Sequence, residues 1–372
     1  MKRDGQAPEK ENQLLESIFT KEFDRRSFLE KTTKIAGAAF GLSLINSLAN
    51  TPVKAEPSAP VPLSSNQKKL HTIHFNSTEE LARYTRLSSL QATQPLVMAH
   101  RAGYSPQGIW PESALESAQH VLETGPAFVE IDLRTTSDGE IIMSHDDTLD
   151  RGTTGSGKVA ETSYLEISKL YQRDFVGNRT EFKVRTFDEF LEWSRIGALL
   201  WLDVKDADPA KVVAKIRKHR AEARVIVSAY GVEKVRAFQK LAPDLVYFIP
   251  RIPALGLPTT KSILKNVSDP NRVIGMAGWY VPNIDEAMEM RHHDIPGLLE
   301  LSPLDHGLTP DTLDPQLYKT AVAEGFPMFN TDHYAKVLNI LGITDWASKS
   351  PRRQPRPESE AKDNRVGDGK QD

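Results

Sequence analysis

The feature that most constrains this chain is an alternation. Between residues 73 and 347, short apolar runs recur, and nearly every one is followed by a longer amphipathic stretch. The runs are "PLVMAH", "FVEIDL", "IIMSHD", "ALLWLDVK", "RVIVSAY", "LVYFIPRI", "RVIGMAG", "GLLELSP" and "FPMFNTD". They are apolar at consecutive positions rather than at every second one, the pattern of strands buried on both faces in a parallel sheet. The stretches between them, such as "PESALESAQHVLET", "DPAKVVAKIRKHRAE" and "DPQLYKTAVAEG", carry apolar residues at helical spacing. Strand–helix alternation sustained over about 250 residues predicts an α/β fold, a (β/α)8 barrel, with a doubly wound open sheet as the alternative. Nine runs are one more than such a barrel needs. "IIMSHD" follows "FVEIDLRTTSDG" across a turn with no helix between, so one run is an excursion or an extra strand.

Both ends stand apart from this pattern. Residues 1–55 join Arg25-Arg26, with Phe28 and Leu29 behind them, to a mild Gly/Ala-rich apolar run and a small-x-small site at Val53-Lys54-Ala55. The order resembles a twin-arginine signal peptide, which predicts engagement of the Tat export machinery and a periplasmic or secreted location. The run is too weakly apolar for a stable membrane span. Residues 56–72 read as a Pro/Ser-rich linker, and Ser77 to Glu80 as the capping box of a first helix. Residues 348–372 mix Pro with both charges and almost no apolar side chain, the composition of a disordered tail. Net charge is −3 and no basic stripe stands out, so nucleic acid is not an expected partner. The chain has no cysteine, which excludes disulfides, thiolate metal sites and cysteine nucleophiles.

Polar side chains collect at the carboxyl ends of the apolar runs, where a barrel of this kind places its active face. They are His100-Arg101, Glu130 and Asp132, His145-Asp146, Asp203 and Lys205, and Thr331-Asp332. Glu130 and Asp132 lie two apart, so on a strand both carboxylates project from one face. Two readings fit: a divalent cation with oxygen ligands, Mg2+ or Ca2+, or one carboxylate in solvent and the other paired with Arg134. Asp203 and Lys205 share a face in the same way, as a third ligand beside an anion-holding ammonium or as an internal ion pair. His100 and His145 supply imidazoles suited to general acid and base work near neutral pH. Acid, base, hard cation and fixed positive charge together describe chemistry at a phosphoryl group.

The segment "HRAG…WPESALES…VEIDLRTTSDGEIIMSHDDTLDRGTTGSG" resembles the glycerophosphodiester phosphodiesterase family, whose pattern runs His-Arg-Gly, Pro-Glu-Asn, Glu-x-Asp, Asp-Gly, His-Asp and Leu-Asp-Arg-Thr-Thr-Gly. The likeness is dense over residues 96–157 and thinner through "FDEFLEW" and "LDVK" to "FNTDHY". It implies a TIM barrel, one divalent cation (Mg2+ or Ca2+), and hydrolysis of a small glycerophosphodiester to glycerol 3-phosphate and an alcohol. It implies His100 and His145 as the acid/base pair, Glu130 and Asp132 as metal ligands with Asp203 as the third, and Arg101 and Lys205 as phosphate contacts. Glu112, Asp146 and Asp332 fall near the metal or behind its ligands, as does Asn330, and Trp279 and Tyr280 are candidates for the pocket wall. His306 is a candidate for the site's edge. Three departures stand out: Ala102 in place of the Gly after His-Arg, Ser113 in place of Asn, and Asp203 where Glu is commonest. The departures leave two alternatives open, an enzyme acting on another lipid or sugar phosphodiester, phospholipase D-like, and a barrel that has lost catalysis.

Overall fold

A computed structural model describes residues 69–105, 108–279, 283–302 and 310–347. The expected signal peptide (1–55), the linker up to residue 68 and the tail (348–372) lie outside the described residues. The strands are β1 (Leu96–Ala99), β2 (Ala127–Thr135), β3 (Ile141–Met143), β4 (Tyr171–Arg173), β5 (Arg179–Lys183), β6 (Leu200–Val204), β7 (Val225–Ser228), β8 (Val246–Ile249), β9 (Val273–Trp279), β10 (Gly297–Glu300) and β11 (Met328–Thr331). Strands β1, β2 and β6 to β11 pair in parallel, and β1 bonds to both β2 and β11. The sheet therefore closes into a barrel of eight strands, which rules out the open-sheet alternative. The ninth apolar run is the excursion: β3 pairs antiparallel with β2 alone in the sheet. An antiparallel hairpin, β4–β5, follows it before the chain returns to the barrel wall.

The alternation of side chains explains why the runs are apolar throughout. Met98, Phe128, Trp201, Ile226, Phe248 and Met276 point inward and form one cluster, joined by Leu81 and Tyr84 of helix Thr78–Thr85. Their neighbours Val97, Val129, Leu202 and Val227 belong to a second cluster, against the outer helices. Each fully buried side chain of this size contributes about 1.5–3 kcal/mol, so neither face of a wall strand tolerates polarity through its length. The first helix begins where its capping signal sits: Ser77 accepts from the Glu80 N–H. The reciprocal bond differs from expectation, since the Glu80 carboxylate accepts from the Asn76 N–H at 2.7 Å.

Toward the carboxyl ends the inward positions turn polar. Two residues beyond Phe128 stands Glu130 and then Asp132; beyond Trp201, Asp203; beyond Ile226, Ser228; beyond Leu298, Glu300; beyond Met328, Asn330. An apolar interior thus carries a polar layer at the end where the β–α loops emerge. Among the described residues no helix is long and apolar enough to cross a membrane.

Candidate active site

The polar layer surrounds a cavity of about 510 Å³ lined by His100, Arg101, Glu130, His145, Asp203 and Lys205, with Met98, Trp201 and Phe248 as its apolar wall. Glu130, Asp132 and Asp203 each present a carboxylate oxygen within 4.8 Å of the others. Register explains the convergence, because Asp132 on β2 lies directly beside Asp203 on β6. Lys205 sits between them, its Nζ 3.0 Å from Asp132 and 2.5 Å from Asp203. The internal ion pair expected for Asp203 and Lys205 and the three-carboxylate cluster therefore coexist. Arg134 takes no part: it donates to the His145 carbonyl and pairs with Asp206, which removes the bland alternative for the Glu130–Asp132 pair.

Three buried carboxylates in one corner cannot all carry charge without help. Burial, with Asp132 beside it, pushes the Glu130 carboxyl well above the ordinary carboxylate range. Burial would raise Asp132 too, but Lys205 and the two imidazoles hold it below its usual value. Oδ2 of Asp132 and Oδ1 of Asp203 are buried without a hydrogen-bond partner. Two orphaned carboxylate oxygens facing a third carboxylate fit a hard divalent cation, which takes oxygen ligands and removes the repulsion.

Each imidazole has its own carboxylate. His100 Nδ1 lies 2.6 Å from Asp332, brought from β11 by the pairing of β1 with β11. His145 Nδ1 lies 2.8 Å from Asp146. Burial lowers the His100 pKa, but Asp332 overrides it and lifts the group to about 9. The Nδ1 contact leaves Nε2 of His100 to serve the cavity, whereas Nε2 of His145 meets the Arg101 guanidinium that lines it. A backbone bond from Ser144 to the Asp132 carbonyl and the Arg134 contact place the excursion so that His145 overhangs the barrel mouth.

Arg101 joins these parts. Its backbone N–H donates to Glu130 at 2.6 Å, while its guanidinium donates to Glu112 at 3.0 Å and to His145 Nε2 at 2.9 Å. Glu112 also accepts two bonds from Arg151, at 2.7 and 2.6 Å, and Arg151 bonds Asp146 at 2.6 and 2.8 Å. Burial opposes ionisation of Glu112, yet the two arginines hold it below its ordinary pKa. Glu112 is thus placed against arginines rather than within the carboxylate cluster. Sequence reasoning assigns no role to Arg151, although it lies in "LDRGTTGSG"; its place five residues after the Asp that backs His145 is the only signal.

The loop after β1 is strained. Arg101, Ala102 and Gly103 all have left-handed φ, +50°, +63° and +75°. A Cβ at Gly103 would stand 2.1 Å from Val121, so that position admits glycine alone. Ala102 occupies the place where the family pattern has glycine, and Ser113, where it has Asn, is also left-handed at φ +59°. An L-residue held there costs about 1–2 kcal/mol. Two of the three departures are therefore departures at backbone positions that favour Gly or Asn.

Trp279 closes β9, and Tyr280 and His306 lie outside the described residues. Cavity-lining residues that the sequence did not single out are Ser228, Tyr230, Lys234, Glu300 and Ser302. Glu300 and Ser302 were legible in principle, since "GLLELSP" ends an apolar run in the same way as "VMAH".

Residues 100–250 match the model of the glycerophosphoryl diester phosphodiesterase family. A glycerophosphodiester phosphodiesterase of Caldanaerobacter subterraneus subsp. tengcongensis is 30% identical over 162 residues, 40% of this chain and 64% of its own length. One from Bacillus subtilis is 28% identical over 170 residues, 40% of this chain and 57% of its own. The matched segment thus spans less than two thirds of either relative. The crystal structure of a glycerophosphoryl diester phosphodiesterase from Parabacteroides distasonis superposes with a TM-score of 0.66 at 23% identity, covering 75% of this chain and 97% of that one. At that identity the superposition establishes a common fold.

Proposed function

We propose that this chain, whose residues 100–250 match the glycerophosphoryl diester phosphodiesterase family, hydrolyses glycerophosphodiesters to glycerol 3-phosphate and an alcohol. One observation carries this reading: two imidazoles, each backed by a carboxylate, line a single cavity beside a cluster of three carboxylates, two of them in its wall, with two unpartnered oxygens. Glu130, Asp132 and Asp203 would hold a divalent cation, which when bound supplies positive charge against the phosphoryl oxygens.

The chain's own groups do the rest. Arg101 presents a guanidinium at the cavity to meet the phosphate, and Glu112 with Arg151 fixes its angle. One imidazole takes the proton from a glycerol hydroxyl as its oxygen bonds to phosphorus. The other gives a proton to the alcohol oxygen as the P–O bond breaks. A cyclic phosphate results, and water opens it with the two imidazoles in exchanged roles. Asp332 and Asp146 keep each ring in the tautomer that turns Nε2 inward.

The test is turnover of a panel of glycerophosphodiesters by the mature chain, with Mg2+ or Ca2+ and with a chelator, beside His100→Ala. Activity that requires the cation and falls at least about 10²-fold in His100→Ala supports the reading. Absence of turnover under every condition overturns it. From Arg25-Arg26 and the segment after it we infer export by the Tat route. Replacing the pair by Lys-Lys should retain the protein in the cytoplasm, and unimpeded export would sink that inference.

A further inference from the structure

Strands β10 and β11 bring to the cavity a polar group that the hydrolytic chemistry leaves without a task. Leu298 and Met328 belong to the apolar barrel interior, and two residues on stand Glu300 and Asn330, register partners across the two strands. Both are buried, at 8% and 4% exposure, and both line the cavity that His100 lines. Glu300 accepts from the Ser302 N–H at 3.2 Å, from the Ser302 hydroxyl at 2.5 Å and from Asn330 Nδ2 at 2.9 Å. With its amide nitrogen committed, Asn330 keeps one orientation, and its carbonyl oxygen Oδ1 is a buried acceptor with no partner. A fixed, desolvated acceptor beside a catalytic imidazole calls for a donor from the ligand.

The donor's chemistry follows from the surroundings. His100 acts electrostatically on Glu300, so a second cation placed there would face the imidazole's positive charge. Burial also holds the Glu300 carboxyl above its ordinary value, which weakens its pull on an ammonium. A neutral hydroxyl suits the position. Glycerophosphodiesters carry two free hydroxyls on the glycerol, one of which attacks phosphorus, leaving the terminal hydroxyl to be recognised.

We infer that Asn330 Oδ1, held by Glu300 and Ser302, accepts a hydrogen bond from the terminal hydroxyl of the substrate's glycerol and so sets the enzyme's preference for glycerol esters. The assignment rests on the phosphodiesterase reading above. A site built around a substrate hydroxyl rejects the analogue that lacks it far more strongly than an apolar pocket rejects a size change.

The experiment compares glycerophosphoethanolamine with its analogue in which the terminal CH2OH is CH3, using the full-length mature chain and its variants Asn330→Ala and Glu300→Gln. The wild type should prefer the glycerol ester by at least about 10²-fold in kcat/KM. Asn330→Ala should lose most of that ratio, by slowing the glycerol ester while changing the deoxy analogue less than about 3-fold. Glu300→Gln reads the same ratio should Asn330→Ala fail to fold. Equal turnover of both substrates by the wild type overturns this inference and leaves the phosphodiesterase reading intact. So does an equal loss on both substrates in each variant, which a merely structural role would give. Turnover of neither substrate by the wild type overturns both.

Discussion

The Arg101 guanidinium lies 2.9 Å from Nε2 of His145, and because a guanidinium only donates, that nitrogen must be the acceptor. Nδ1 of the same ring faces Asp146, so the imidazole is held between a guanidinium and a carboxylate. A lysine at position 101 would keep the charge but not the fork that spans Glu112 and His145. Arg101→Lys should lower kcat/KM for a glycerophosphodiester by about 10²-fold, the scale of losing one preorganised charge contact. Steady-state kinetics check this. Wild-type rates in the variant would mean the fork is dispensable.

The His100–Asp332 pair makes a prediction about stability. The folded pKa of His100 is raised, to about 9, because Asp332 outweighs the burial that would lower it. A raised histidine stabilises the fold fully below its unfolded pKa of about 6.5, and the contribution disappears as pH rises through the folded value. Urea unfolding in cation-free buffer should thus show stability falling between about pH 6.5 and 9. Asp332→Asn should flatten that slope. A slope unchanged in the variant would assign it to other groups.

Cation uptake should release a proton. The metal-free cluster keeps Glu130 largely protonated at neutral pH, and a divalent cation must displace that proton to use the carboxylate. Affinity for Mg2+ or Ca2+ should accordingly rise with pH up to the pKa of Glu130. Calorimetry in two buffers of different ionisation enthalpy reads the release directly, and identical heats would count against it. Asp203→Asn should abolish the binding heat.

Ser113 offers a stabilising substitution. Its hydroxyl and the Gln172 Oε1 are both buried without partners and border a cavity of about 20 Å³. Ser113→Asn would place a side chain that tolerates left-handed backbone there and bring an amide toward Gln172. A gain of about 1 kcal/mol is expected, and with it a rise of roughly 2–4 °C in Tm for a domain of this size. A lower Tm would show that the larger side chain does not fit.

The wall strands were legible because both of their faces are apolar, and no other element of this fold imposes that pattern. The β4–β5 hairpin was not, since Tyr171–Arg173 and Arg179–Lys183 are polar and, apart from the buried Gln172, partly exposed, with nothing to separate them from loop. The groups of the candidate site show in the sequence as polar residues ending apolar runs, and the pleat of a strand is enough to set Glu130 and Asp132 on one face. Which carboxylate serves which imidazole was hidden. Asp146 adjoins His145 in the chain, but Asp332 reaches His100 only because the barrel closes at β1 and β11. Sequence distance carries no trace of ring closure. The bonds from Arg151 to Glu112 were hidden in a similar way, since they span 39 positions of chain.

Only half of the proposed proton machinery belongs to the barrel wall. His100 hangs from a strand with parallel neighbours on both sides, whereas His145 follows a three-residue strand bonded to β2 and, through one bridge at Ile142, to Thr186. A fluctuation that peels away this short annex would leave a closed barrel with its carboxylates in place and a single working imidazole. Under the proposed hydrolysis, the distance between a catalyst and a mere receptor is the width of one local opening.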